Sequence, residues 1–413
     1  MKIYDIAVVG GGASGLMAAV AAAAECKRLG NNAKIAVFEK NERVGKKMLM
    51  TGNGRCNLTN MGVNPDAYCG DTGFLKPVLK KYPAAKVIGI FKGMGLLCRE
   101  TDEGRVYPYS MQASSVLNIF LRQIKFYNIE TLCGFEVTGV KKAGSWFMVA
   151  SKNGAVGAKK LIFAFGGKAC PQSGSDGRCF EVLNSLGHMT TRLFPSLVQV
   201  KTDAKRVKPL KGIRSIVSAS FIAGGKRIKT EKGEVQFTEN GLSGICIFDL
   251  ARLAGEYGND KKPQISLDFM PEYSQNDIAA LLGKIITAAG DAPAIRIADG
   301  FLNKAVGTEI VKSAVSAPTK NASALKSNEI YRIAETVKNF VFPVNGTLSW
   351  DKAQVTAGGI PLREVNPDMS SKACKGVYLC GELLNVDGIC GGYNLHWAWA
   401  SGIIAGKSAA HTL

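Results

Sequence analysis

The sequence predicts an α/β fold of the Rossmann type, split in two by an inserted β-rich plus helical domain. Three observations carry this. The apolar run Ile3 to Val9 is followed by Gly10, Gly12 and Gly15 in G-x-G-x-x-G spacing, then by an Ala-rich stretch and a second apolar run ending in Glu39. Towards the other end, Gly376 to Cys380 leads into Gly381-Glu382, and Gly391-Gly392 heads another long apolar stretch. Between them, from Pro195 to about Phe342, short alternating runs give way to helical periodicity. The expected organisation is a dinucleotide-binding domain over 1–194 and 343–413, with an insert over 195–342 that is β-rich to 270 and helical from 271.

In the first segment each part has a task. Gly10 makes the tight turn, Gly12 lets backbone approach a pyrophosphate, and Gly15 lets the helix pack on the sheet. The helix starting at Ala13-Ser14 aims its free N–H groups and positive dipole end at the phosphates. Glu39, closing the second strand, can accept hydrogen bonds from a ribose diol. A secretory signal is not expected, because Asp5 and three glycines interrupt the apolar run and it leads into another strand.

Bulk properties narrow the class. With 413 residues, 46% hydrophobic and 21% charged, the chain can build two or three ordinary cores, and no apolar run is long enough to span a bilayer. Eleven cysteines, odd in number and without a C-x-x-C pair, point to reduced thiols and a cytoplasmic protein. The same absence argues against a dithiol relay, and the pairs Cys170/Cys179 and Cys380/Cys390 read as packing. The net charge of +19 is the unusual number. Lys205, Arg206, Lys208, Lys211, Lys226, Arg227 and Lys229 cluster without interleaved aromatics, which reads as a solvated basic face. Nucleic acid is kept as a minority partner and a membrane is not expected.

After Glu39 comes a long loop, Lys40 to Asn60, rich in backbone donors, positive charge and residues that tolerate positive φ. Its core, Thr51-Gly52-Asn53-Gly54-Arg55-Cys56-Asn57-Leu58-Thr59-Asn60, resembles the HI0933-like flavoprotein family, also called BaiN-like or aminoacetone-oxidase-like. The resemblance implies a glutathione-reductase-like FAD fold with Lys40, Gly45, Lys46, Lys47, Thr51, Gly52, Asn53 and Asn57 along the cofactor. It also implies adenine beside the backbone of Val137, and close backbone approach at Gly166-Gly167. The family's Ala-Thr-Gly-Gly is changed here, with Phe165 in place of Thr. In the insert, Phe237 to Gly244 matches a family motif in part, with Glu239 where His is usual and Ile245 where Pro is.

The end of the chain carries the second cofactor signature. Glu382 can hold a ribityl hydroxyl, and Asp387, Gly391, Gly392, Tyr393 and Asn394 surround a helix start that would place positive dipole near the flavin N1 and O2, favouring the reduced, anionic form. Flavin supplies the redox chemistry, so no triad or metal cluster is expected. Asn57, Thr356 and Tyr393 are candidates for the flavin's substrate face. Cys56 is considered as a nucleophile, and His396 as a group near the flavin, though packing or capping suits it better. No second strand–G-x-G-x-x-G–helix unit exists, so NADH or NADPH would bind only transiently. The readings are an FAD-dependent oxidoreductase of small metabolites, reducing an activated C=C with NAD(P)H or oxidising an amine with O2; a flavoprotein acting on tRNA; and a non-catalytic flavin binder.

Overall fold

In the computed structural model, which describes residues 1–413 apart from the side chains of Asn259 and Ala289, the apolar runs become strands of one sheet. Strand β1 (Ile3–Val9) is followed by helix α1 (Ala13–Arg28) and β2 (Ile35–Glu39). Helices α2 (Leu75–Lys81), α3 (Ala84–Gly93) and α4 (Ala113–Phe126) come next, then β3 (Glu130–Cys133), β4 (Val137–Ala143), β5 (Trp146–Ser151), β6 (Gly154–Phe163) and helix α5 (Cys179–Ser185).

A second compact unit, Pro195–Lys352, is built on a six-stranded antiparallel sheet. Its elements are β7 (Val200–Lys201), β8 (Arg214–Ala223), β9 (Lys226–Thr238), β10 (Gly241–Ser243), α6 (Ile245–Tyr257), β11 (Gln264–Asp268), α7 (Gln275–Ala289), α8 (Lys304–Ala314), α9 (Ser327–Lys338) and β12 (Phe340–Pro343). The sheet order is β7-β10-β9-β8-β11-β12. Two details differ from the sequence reading. Helix α6 lies in the β-rich half, and β12 returns from the helical half to pair with β11. The unit also runs ten residues past Phe342 to Lys352, because the Val344, Asn345 and Leu348 amides bond to Pro263, Lys201 and Gln199 carbonyls at 2.8, 2.8 and 3.0 Å.

The chain then completes the first unit, Met1–Phe194 with Ala353–Leu413, through β13 (Val377–Leu379) and helix α10 (Tyr393–His411). The first sheet runs β3-β2-β1-β6 in parallel. It forks at β6, whose first half pairs antiparallel with β5 and whose last residues pair parallel with β13. Val9 stands opposite both Phe38 and Phe163, and Phe163 opposite Leu379, so four strands end along one edge. Ligands of such sheets bind at that carboxyl edge.

Small residues let two helices touch behind it. A Cβ on Gly402 would lie 2.6 Å from the Ser14 carbonyl oxygen, and one on Gly406 would lie 2.2 Å from that of Ala18. The Ala-rich face of α1 is therefore a packing surface. Beyond it, Trp399 stacks on Phe120 at 5.7 Å and meets Phe91 edge-on at 5.2 Å, tying α10 to α3 and α4.

Candidate functional site

At the carboxyl edge, the first glycine turn is dictated by sterics. Gly10 has φ +111°, and a Cβ there would sit 2.5 Å from the Ala164 carbonyl oxygen; a Cβ on Gly15 would sit 1.9 Å from that of Gly10. Gly12 is different, with open space where its Cβ would point. It precedes α1 as an uncapped N-cap, and the first turn carries no acid. The first amides of α1, which no side chain caps, and the helix dipole thus lie beside this open space, with Ala13 and Ser14 as the first helical residues. Ser14 itself packs under Gly381, whose Cβ would lie 2.3 Å from the hydroxyl.

Glu39 is buried at the end of β2 and is held by three donors. The Gly11 amide reaches Oε2 at 2.9 Å, and the Asn41 amide and side chain reach Oε1 at 2.8 and 2.7 Å. The loop after it is threaded back to the same place. The Gly45 amide bonds to the Gly11 carbonyl at 2.8 Å. Lys47 pairs with Glu382 at 2.7 Å, and the other oxygen of Glu382 accepts the Thr356 amide at 2.9 Å. Lys40 pairs with Asp176 at 2.8 Å, while Lys46 is half-buried and Asn53 is exposed at the loop tip. Gly52, Asn53, Gly54 and Cys56 all have positive φ, and the Thr51 hydroxyl bonds back to the Met48 carbonyl at 2.7 Å.

The two remote ends of the sequence meet at Asn57. Its side chain is 8% exposed, and Oδ1 is buried without a hydrogen-bond partner among the described residues. A Cβ on Gly392 would lie 2.8 Å from that oxygen. Gly391 and Gly392 have φ of +128° and +104°, and α10 starts immediately after with no side-chain cap and no acid in its first turn. Asn60 was not singled out in the sequence, yet its Nδ2 holds the carbonyls of Gly391 and Glu103, each at 3.0 Å. The signal that could have found it is its place at the end of the same loop motif.

The remaining candidates make contacts within the fold. The Thr356 hydroxyl accepts the Lys168 and Ala169 amides at 2.7 and 2.9 Å and fills the space beside Gly167, where a Cβ would meet it at 2.3 Å. It shapes the Gly166-Gly167 turn. Asn394 clamps both backbone groups of Gly388 at 2.8 Å, and Asp387 is buried beside it. Tyr393 meets Tyr68 edge-on at 6.0 Å, and its carbonyl accepts the Tyr68 hydroxyl at 3.0 Å. Val137 is buried at the start of β4, its carbonyl 3.9 Å from the Cys179 thiol. Phe165 packs edge-on to Phe163 and Phe180. In the second unit Glu239 is exposed and paired with Lys211 at 3.0 Å.

Two candidates for proton or nucleophile chemistry are unsuited to it. Burial pushes the Cys56 thiol up to about 12, the wrong direction for a thiolate. His396 is fully buried, with Nδ1 2.7 Å from the Thr59 hydroxyl and Nε2 2.9 Å from the Tyr82 carbonyl. Nε2 therefore carries the hydrogen and Nδ1 accepts, and desolvation lowers the pKa to about 4. His188 is likewise enclosed, between Ser371 at 2.8 Å and Glu364 at 2.9 Å.

Against this geometry, the HI0933-like protein Rossmann domain matches residues 4–408. The chain belongs to the HI0933-like family. It is 34% identical to the 3-dehydro-bile acid delta(4,6)-reductase of Clostridium scindens, over 98% of each chain. It is 24% identical to the ribosomal RNA dihydrouridine synthase of Escherichia coli, over 99% of this chain and 100% of the relative. Among solved structures, the 3-ketosteroid-delta4-(5alpha)-dehydrogenase of Rhodococcus jostii aligns with a TM-score of 0.51 at 11% identity, covering 99% of this chain and 97% of that one. That likeness concerns the fold of this HI0933-like chain.

Proposed function

We propose that this protein is an FAD-dependent oxidoreductase that reduces a carbon–carbon double bond conjugated to a carbonyl, with NADH or NADPH as transient reductant. The observation that carries the reading is the meeting of the two chain ends at Lys47–Glu382 and Asn57–Gly392, in a chain one-third identical along its length to a reductase. The residues fit an FAD. Gly12 and the uncapped start of α1 suit a pyrophosphate, and Glu39 lies where a ribose hydroxyl can add to its donors. The unpaired acceptor of Asn57, beside the uncapped start of α10, suits a polar ring edge that brings an N–H.

Bound FAD supplies hydride transfer. The chain's own part is to bind, orient and polarise. The start of α10 would put positive dipole toward a bound ring, Asn60 fixes Gly391 so that this end cannot swing, and Lys47 with Glu382 and Thr356 keeps the Gly166-Gly167 turn in place. The experiment is anaerobic: FAD-loaded protein is mixed with NADH, NADPH or an amine, then with a steroid enone. Bleaching by a reduced nicotinamide and recovery of colour with the enone support this reading. Bleaching by the amine alone supports an O2-dependent oxidase, and a protein that stays colourless with added FAD sinks both.

A second reading keeps the chemistry and changes the carrier. The 5,6 double bond of a uracil ring is also conjugated to a carbonyl. The net charge of +19 and full-length likeness to a ribosomal RNA dihydrouridine synthase favour an RNA substrate.

A further inference from the structure

From Thr72 to Arg99 the chain carries Lys76, Lys80, Lys81, Lys86, Lys92 and Arg99 and no carboxylate. Folding sorts this segment. Leu75, Val78, Leu79, Val87 and Phe91 are buried, and all six cations are exposed. None of the six has a carboxylate partner among the described residues. The basic cluster of the second unit is mixed: Lys211 and Lys229 are paired with Glu239 and Glu231, while Lys205, Arg206, Lys208, Lys226 and Arg227 have no carboxylate partner among the described residues. Unneutralised like charge costs stability through self-repulsion, and a polyanion relieves it.

Two features favour a nucleic acid over an anionic lipid surface. The Arg99 guanidinium lies 3.8 Å from the centroid of the Tyr109 ring, which is 54% exposed. The Tyr109 amide bonds to the Leu97 carbonyl at 2.8 Å, so this flat, solvent-facing stack is fixed to the segment's end. Such a platform takes a base. The second feature is position. Tyr82 joins α2 to α3, with Lys81 and Lys86 over its ring at 6.0 and 4.8 Å, and its carbonyl holds His396 in the first turn of α10. Lys81, Tyr82 and Lys86 are thereby fastened to the helix whose start is assigned to the flavin.

We infer that α2, α3 and the Arg99–Tyr109 stack form a docking surface for single-stranded or looped RNA, with phosphates on the lysines and a base on the tyrosine. The inference rests on the RNA reading above and names the surface that serves it. It is tested with full-length protein and a fluorescein-labelled, uridine-rich RNA of about 20 nucleotides, titrated over a range of salt. Lys76→Gln/Lys80→Gln/Lys86→Gln should weaken binding about tenfold near physiological salt and flatten the log–log salt slope by about 2. Tyr109→Ala should weaken binding with the slope unchanged. Lys226→Gln/Arg227→Gln, in the second unit, should stay within about twofold of wild type.

The inference is overturned if wild type ignores the RNA at low salt, if the two lysine sets lose affinity equally, or if anionic phosphatidylserine vesicles displace the RNA. Binding is read with and without added FAD. A colourless preparation would then sink the cofactor assignment while the RNA titration still decides the docking face.

Discussion

Asn57 and His396 sit close together in the fold and make opposite predictions. Asn57 leaves an acceptor unpaired inside the protein, so Asn57→Ala should cost the apoprotein nothing in melting temperature and weaken FAD by about tenfold, or roughly 1.4 kcal/mol. Unchanged FAD affinity, or a large loss of apoprotein stability, would remove Asn57 from the site. His396 spends both nitrogens on the fold. Its pKa falls from 6.5 to about 4, so the unfolded chain takes the proton first as pH drops. The stabilising contribution is complete above pH 6.5 and is lost between there and about 4, a total of about 3 kcal/mol. Urea midpoints measured from pH 7.5 to 4 should fall less steeply in His396→Gln than in wild type. At this scale the sequence was only half legible: Gly10 and Gly15 could be read because a positive φ, and a contact between residues five apart, are local. Thr356 and Asn60 could not, since their partners lie 188 and 331 positions away.

Helices α1 and α10 show the same division between elements. Alanine repeats in α1 and Gly402 and Gly406 in α10 are visible in the sequence, but as composition only. Their meaning is that two backbones touch. Gly406→Leu would drive a side chain into the Ala18 carbonyl, 2.2 Å from the new Cβ. The expected result is loss of soluble protein or a destabilisation of about 3 kcal/mol or more by denaturant titration; a normal melting temperature would refute that contact. The glycine loop after β2 was readable as functional from its length and its positive-φ residues. The ion pair that closes it, Lys47 with Glu382, was not.

For the whole molecule, every contact assigned to the cofactor lies within Met1–Phe194 and Ala353–Leu413. Replacing 195–352 by a short Gly/Ser linker should therefore leave a yellow protein with FAD absorbance; a colourless product that binds FAD only with the insert restored would contradict this. No helix among the described residues is long and apolar enough to cross a membrane. The strong positive charge was plain from composition, but which cations the fold pairs with carboxylates was not. Counting lysines drew attention to Lys205 to Lys229, where the fold pairs Lys211 and Lys229 with carboxylates, and passed over Lys76 to Arg99, where it pairs none among the described residues.

Taken alone, the amino-acid order determined the strand–glycine–helix units at both ends, the family they belong to and the change of texture between them, because propensity, turn sterics and periodicity act over a few neighbouring residues. Tertiary structure alone decided which polar groups are spent on the fold and which are left open. That choice depends on burial and on partners brought together from hundreds of residues apart, as Asn57 with Gly392 and His396 with Tyr82.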